Sequence, residues 1–474
     1  MIRIKPDLKT SLEVREKYSS IKKLGFNQAL LLICLFGLLI RLLYFFLVAA
    51  NNQISGDAAS YHLTANIFAD GLGFTEPFRY LFGAIDLVPI KGELVEIITP
   101  IGHTEPTAGH PPMWTLLLSI GSFLNFTTVY QQQIFSIFLG VPSIFLAGLI
   151  GKKIGSERLG LITASLTATY AFIWINDGLL MAETCAITAA FACILSGLNF
   201  AEDLSMKNAF IFACVGGLAA LCRAELLIYL PLVAAVILFK KEFSWRIKIL
   251  RYLSIGLVAL LVISPWVIRN LYSFEENVFL SDGAGTVLVQ ANCDSTYYGQ
   301  NIGYWELKCG QPPPYGTNGE LLDESQRDIV VRDRSFDYIT ENKKRLITVV
   351  APARIGRMWG AYKPIEQLRL DVLADRRSFG ISLIGFGQYL LLLPLSLIAI
   401  LKLWKKRKEL LFITSAWIPI VTFTAALTFG NTRYRTAAET SLVILAAFSL
   451  DLLVKRFTGK SKTCLLYTSP SPRD

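Results

Sequence analysis

Charge is what this sequence has least of: Asp, Glu, Lys and Arg together make up 17 % of its 474 residues, against about 25 % in soluble domains. Histidine occurs three times and methionine five times. No G-x-x-x-x-G-K-[ST] loop, G-x-G-x-x-G fingerprint or G-x-S-x-G elbow occurs in it. The chain therefore lacks the sequence marks of phosphate cradles in nucleotide-binding domains and of the nucleophile turn of α/β-hydrolases. Heptads and internal repeats are also missing. Hydrophobic residues, by contrast, reach 53 %, and 46 Lys and Arg against 36 Asp and Glu leave a net charge of +10. Nucleic-acid binding needs a continuous basic face, whereas these cations are scattered between apolar blocks, so no nucleic-acid partner is expected. A basic chain this apolar reads as a polytopic membrane protein whose excess cations lie in cytoplasmic loops.

About ten apolar blocks follow one another: 29–50, 131–150, 159–175, 179–200, 209–221, 226–239, 249–268, 378–401, 410–429 and 437–454. Roughly 20 apolar residues span a bilayer, and several of these blocks are shorter. The expected architecture is an all-α polytopic membrane protein with two large extracytoplasmic loops. Residues 1–28 form a cationic cytoplasmic tail and 29–50 the first transmembrane helix. An extracytoplasmic loop (51–130) and a transmembrane bundle (131–268) come next. A second outer loop (269–377) and the C-terminal transmembrane helices (378–454) complete it. With the N-terminal tail inside, Lys152, Lys153, Arg158, Lys240, Lys241, Arg246, Lys248, the cluster Lys405 to Lys408, Lys455 and Arg456 all fall inside as well. This is the Lys/Arg asymmetry of a multi-pass cell-membrane protein with both ends cytoplasmic, as in a bacterial plasma membrane. Residues 463–474, TCLLYTSPSPRD, resemble a translated sequencing adapter and are set aside; on that reading the natural chain continues differently.

The first outer loop contains Pro111 and Pro112 followed by an apolar run, 113–126. That run reads as an interfacial helix, because a full span there would invert every later loop. Cys293 and Cys309 share the polar second loop, where an oxidising compartment favours a disulfide; two free thiols are the alternative. Cys185, Cys193, Cys214 and Cys222 lie in or near apolar blocks, where cysteine behaves as a small hydrophobe.

Ionisable groups recur at the outer ends of the blocks, a position where charge is expensive and commonly functional. Asp57 follows the first block and shares a helix face with Tyr61 at i, i+4; the alternative is a helix-capping surface carboxylate. Asp177, Glu183, Arg223, Glu225, Arg269, Arg433, Tyr434, Arg435 and Glu439 belong to the same side. Acidic groups among several arginines suggest a base and an anionic ligand such as a lipid phosphate, which a guanidinium grips with two parallel hydrogen bonds. Any single arginine among them is also explained by snorkelling or an intramembrane ion pair. The three histidines, His62, His103 and His110, all fall in the first outer loop. A divalent metal is one open candidate for them, but no tight ligand spacing supports it and no cofactor is fixed by the sequence.

Together Gly56-Asp57 with Tyr61, Gly71-Leu72-Gly73-Phe74, His110-Pro111-Pro112, Met181-Ala182-Glu183-Thr184, Arg223-Ala224-Glu225, Pro265-Trp266-Val267-Ile268-Arg269-Asn270 and Arg433-Tyr434-Arg435 resemble the GT-C integral-membrane glycosyltransferases. The branch they resemble is glycosyltransferase family 39, the protein mannosyltransferase and lipid A aminoarabinose transferase group. The resemblance implies a GT-C fold and inverting transfer of a sugar from a polyprenyl-phosphate donor to a glycan, lipid or protein acceptor at the outer membrane face. It implies Asp57 as the catalytic or positioning carboxylate. Tyr61, His110, Asp177, Glu183, Arg223, Arg269, Arg433, Tyr434 and Arg435 would line or support the substrate cavity. Eukaryotic-type protein mannosyltransferases carry an Asp-Glu pair in this loop, whereas Ala58 follows Asp57 here, which puts a protein acceptor in doubt. The alternative is a flippase for lipid-linked saccharides, but transporters of that kind are marked by repeats and midspan charges.

Overall fold

Apolar side chains alone do not make a membrane span; the backbone must also satisfy its own hydrogen bonds over the full thickness of the bilayer. The computed structural model describes residues 24–457, except 51, 91–92, 241, 312 and 317–318. Most of the expected cytoplasmic tail and all of the adapter-like segment 463–474 lie outside the described residues. Within them, six helices are long and apolar enough to cross a membrane: Phe26–Ala49, Val129–Ile154, Glu183–Glu202, Trp245–Ser273, Phe379–Lys406 and Thr432–Phe457. The bent pair Lys408–Ser415 and Trp417–Leu427 makes a seventh if counted as one span.

Six or seven helices thus have the length and apolar character of a span, and the expected count of about ten is not confirmed; the remaining blocks form shorter or interrupted helices. Block 159–175 forms the helix Glu157–Thr169, which stops at Tyr170 in extended geometry before the single turn Ala171–Trp174. Gln388 of a neighbouring helix patches this break, its Oε1 accepting from the Ala171 N–H at 2.9 Å and its Nε2 donating to the Thr169 carbonyl at 3.0 Å. Blocks 209–221 and 226–239 become the short helices Met206–Cys222 and Ala224–Phe239.

Helix Thr436–Phe457 forms the axis of the bundle, with every residue from Thr436 to Ala447 buried. Its Ala, Ser and Thr positions let neighbouring backbones approach closely, which is how membrane helices gain packing energy without a hydrophobic driving force. The one charge in the first block, Arg41, is also buried, and its Nε donates to Asp177 at 2.6 Å. Gly140 makes room for this pair, because a Cβ there would collide with the Asp177 carboxylate.

The two long segments expected at the outer face form a cap over one end of the bundle. The first contributes helix Asp57–Ile67, a two-stranded antiparallel hairpin and helix Met113–Phe123. The hairpin, β1 (Ala84–Ile90) and β2 (Glu93–Thr99), pairs Ile85 with Ile98 and Val88 with Val95. The all-α expectation omitted it, although β-branched residues bracket a Lys-Gly pair in the sequence. Helix Met113–Phe123 has 11 residues, about half the length of a span. The second outer segment contributes helices Ala284–Ala291, Glu324–Glu341, Ala351–Met358 and Pro364–Asp375. Arg354 fastens it to the bundle: this buried guanidinium donates to the carbonyls of Ala291 and of Ala426 and Leu427, the C-terminal ends of two helices. Cations are favoured at such ends by the helix dipole.

Candidate active site

Where the cap meets the bundle lies a cavity of about 1270 Å³. Helix Asp57–Ile67 delivers its first residue, Asp57, into the wall. Gly56 before it turns the chain at φ 54°, a conformation that side chains with a Cβ rarely adopt. Asp57 Oδ2 accepts from Arg433 Nη2 at 2.8 Å. The other faces of the same guanidinium are also occupied, with Nε donating to Glu183 Oε1 at 2.7 Å and Nη1 to Asp375 Oδ1 at 3.4 Å. Glu183, fully buried at the start of its helix, accepts in turn from Arg223 Nη1 at 2.7 Å. Arg223 Nε donates to Glu225 at 2.7 Å, and its guanidinium lies 5.3 Å from the centre of the Tyr434 ring. His110 Nε2 stands 3.8 Å from Asp57 Oδ1, and its ring packs 4.6 Å from Tyr61.

These neighbours set the ionisation of the groups outside the spans. Burial works against the Asp57 carboxylate, but Arg433 and His110 outweigh it and hold its pKa below the usual carboxylate range. Burial pushes the His110 imidazole down and the Tyr61 phenol up. Asp375 shares Arg433 yet goes the other way: its burial dominates over Arg377 and Arg433, and its carboxyl is raised. The cavity thus presents an ionised Asp57 beside a neutral imidazole and a neutral phenol.

Of the residues singled out from the sequence, Asp57, Tyr61, His110, Arg223, Arg433 and Tyr434 line this cavity. Glu183 stands behind them, joining the two arginines. Three others face elsewhere. Asp177 is committed to Arg41 and Thr184 inside the bundle. Arg269 donates to the backbone carbonyls of Thr107 and Phe74 at 2.9 and 2.8 Å and packs over Trp266, so it ties the two long loops together and does not line the cavity. Arg435 is spent on Glu439 and on the Met358 carbonyl. Cys293 and Cys309 are joined in the second outer segment. Cys185 and Cys222, read from sequence as apolar filler, are also joined. The histidines do not converge: His62 hydrogen-bonds Gln132 within the protein. Among the described residues no group of three or more His, Cys, Asp or Glu is placed to hold a metal ion.

Sequence reasoning missed the triplet Asp375-Arg376-Arg377. Its signal was the one used elsewhere, charges at the outer end of an apolar block. Arg377 is buried against Asn176, Thr432 and Asp375. Arg376 sits at the cavity rim with a left-handed backbone, φ 58°; its Nε donates to Ser55 Oγ at 3.1 Å, and no carboxylate lies within ion-pair distance among the described residues. It is the lining arginine with an uncommitted charge.

Residues 109–268 match the family model described as dolichyl-phosphate-mannose-protein mannosyltransferase. No curated protein matches the chain. Among solved structures, it is similar to the archaeal oligosaccharyltransferase AglB from Archaeoglobus fulgidus in complex with an inhibitory peptide and a dolichol-phosphate. That match has a TM-score of 0.54 and 14 % identity, over 95 % of this chain and 53 % of that one. A match to ArnT from Cupriavidus metallidurans in the apo state has a TM-score of 0.35 and 13 % identity, over 90 % of this chain and 77 % of that one. The chain thus spans about half the length of the oligosaccharyltransferase. Its helices, cap and cavity make it a multi-pass membrane protein with the GT-C fold, matching a protein mannosyltransferase family model over residues 109–268.

Proposed function

We propose that this protein transfers a sugar from a polyprenyl-phosphate donor to an acceptor hydroxyl or amine at the outer membrane face, inverting the anomeric centre. One observation carries the reading. A single cavity where the cap meets the bundle holds an ionised carboxylate, Asp57, and a rim guanidinium, Arg376, without an acidic partner. A lipid-borne phosphate entering there meets Arg376 first, a planar donor suited to phosphate oxygens. The family model and the dolichol-phosphate of the archaeal structure favour this class of donor.

In the displacement, the acceptor heteroatom attacks the anomeric carbon opposite the phosphate. The new bond forms as the carbon–oxygen bond to phosphate breaks, the phosphate leaves with the electron pair, and the acceptor proton passes to Asp57. Arg433 holds Asp57 at low basicity in the empty site, which suits positioning better than proton removal. When the donor phosphate competes for this guanidinium, Asp57 regains basicity at the moment the acceptor needs it. Arg433 and Arg376 then stabilise the charge that grows on the leaving phosphate.

The test is transfer from a labelled polyprenyl-phosphate sugar in proteoliposomes, with the anomeric configuration of the product read by NMR. Transfer with inversion is the expected result. Movement of the lipid across the bilayer with no sugar transferred would replace this reading with transport.

A further inference from the structure

The two cysteines that the sequence assigned to apolar filling stand next to the site's main ion pair. Cys185 lies two residues after Glu183, and Cys222 lies one residue before Arg223. Helices Glu183–Glu202 and Met206–Cys222 form an αα-hairpin joined at the far end by the short link 203–205. At the cavity end the hairpin is open in sequence, and there the structure joins Cys185 to Cys222, Cα to Cα 6.2 Å, across a separation of 37 residues. Helix ends are where a membrane hairpin frays first, because their outer carbonyls and N–H groups lack intrahelical partners. In this hairpin the fraying ends carry Glu183 and Arg223.

We propose that Cys185–Cys222 is a positioning crosslink for the reaction site. It holds Glu183 at 2.7 Å from both Arg223 and Arg433, and Arg433 in turn fixes Asp57 at 2.8 Å. Glu183 does not line the cavity, so it acts through these arginines, and the crosslink acts through Glu183. Cys222 is buried but borders the cavity, the side from which a small reductant would approach the bond. Reduction by a dithiol breaks the sulfur–sulfur bond, delivers two electrons and two protons to give two thiols, and leaves the reductant as its own cyclic disulfide. The bond persists where the surroundings are oxidising, as they are at an outer face. The catalytic consequence rests on the proposed transfer reaction; the crosslink itself does not.

The first measurement is peptide mapping under non-reducing conditions, with alkylation of native protein in membranes. A Cys185–Cys222 linked peptide is expected; full alkylation of both thiols without reductant overturns the proposal. The second is transfer kinetics with and without dithiothreitol in the Cys293→Ser/Cys309→Ser background, which removes the other disulfide. Reduction is expected to lower kcat about tenfold with little change in acceptor KM, since Asp57 loses its fixed partner. The further variant Cys185→Ser/Cys222→Ser should show that lowered kcat already and no response to reductant. An unchanged kcat on verified reduction overturns the positioning role, and so does an equal rise in acceptor KM. If the Cys185→Ser/Cys222→Ser variant fails to fold, reduction of the folded Cys293→Ser/Cys309→Ser protein in proteoliposomes supplies the same comparison. Polyprenyl-phosphate affinity, read by thermal shift without turnover, is expected to weaken on reduction. It separates a failed crosslink from a failed glycosyl-transfer reading.

Discussion

Replacing Asp57 with Asn keeps the shape of the side chain and removes its charge and its capacity to take a proton. Two effects of different size should follow. The ion pair with Arg433 is partly open, with 35 % of the Asp57 side chain exposed, and Arg433 keeps Glu183 and Asp375 after the change. The expected loss of stability is therefore that of a screened pair, about 1 kcal/mol or less. Losing the group that receives the acceptor proton lowers the rate about 10²–10⁴-fold, or about 3–5 kcal/mol in the barrier. Glu183→Gln should show the reverse balance. Glu183 is fully buried between Arg223 and Arg433, and removing its charge leaves two guanidinium groups without their shared partner, a loss of about 3–5 kcal/mol. The assay pairs thermal unfolding in detergent with initial transfer rates in proteoliposomes. Because Arg433 and His110 hold the Asp57 pKa low, its stabilising contribution is present at neutral pH and fades as pH falls through and below the ordinary carboxylate range. The small difference in unfolding temperature between wild type and Asp57→Asn should shrink on acidification. Undiminished transfer by Asp57→Asn would refute the catalytic assignment. A collapse of its folded state as severe as that of Glu183→Gln would refute the separation of roles.

Arg376→Gln should raise the donor KM about tenfold, the scale of one phosphate contact, with little effect on unfolding, because the side chain has no acidic partner to strand. Arg269→Lys should do the opposite: it loses the two-pronged grip on the Thr107 and Phe74 carbonyls, destabilising the outer cap by about 2 kcal/mol while leaving donor KM unchanged, as read by unfolding and kinetics together. Asp282 and Glu324 hold the two outer segments together, with Glu324 accepting from the Ala108 N–H at 2.8 Å. Burial and their mutual repulsion raise the Asp282 carboxyl, and burial raises Glu324. A raised carboxyl stabilises the fold at low pH and loses that contribution as pH climbs through its folded-state pKa. The protection factor of the Ala108 amide, corrected for intrinsic base-catalysed exchange, should therefore fall at alkaline pH in the wild type. Asp282→Asn, whose amide donates at every pH, should flatten that dependence.

How much of this was legible beforehand depends on the kind of interaction. The charge at the outer end of each apolar block was visible, so Asp57, Arg223 and Arg433 could be named as members of one surface. Their commitments were not: Arg269 and Arg435 carry the same sequence signature as Arg433 and are spent on backbone carbonyls and on Glu439. The hairpin Ala84–Thr99 was hidden by the helical character of everything around it. The triplet Asp375-Arg376-Arg377 was passed over because it borders a span already explained by its hydropathy.

The sequence by itself determined that the chain lives in a membrane, which stretches can cross it, and that its polar chemistry gathers at one side. Those properties follow from local composition, because lipid tests every short segment for apolar character and backbone satisfaction. Only the tertiary structure decided where helices break, as at Tyr170, where Gln388 mends the gap, and which charges line the cavity. Asp57 and Arg433 are 376 residues apart in the chain and 2.8 Å apart in space. No local pattern encodes that distance; it is fixed by the packing of helices around the buried axis Thr436–Phe457, and the turn Thr432–Arg435 just before that helix carries Arg433 into the cavity.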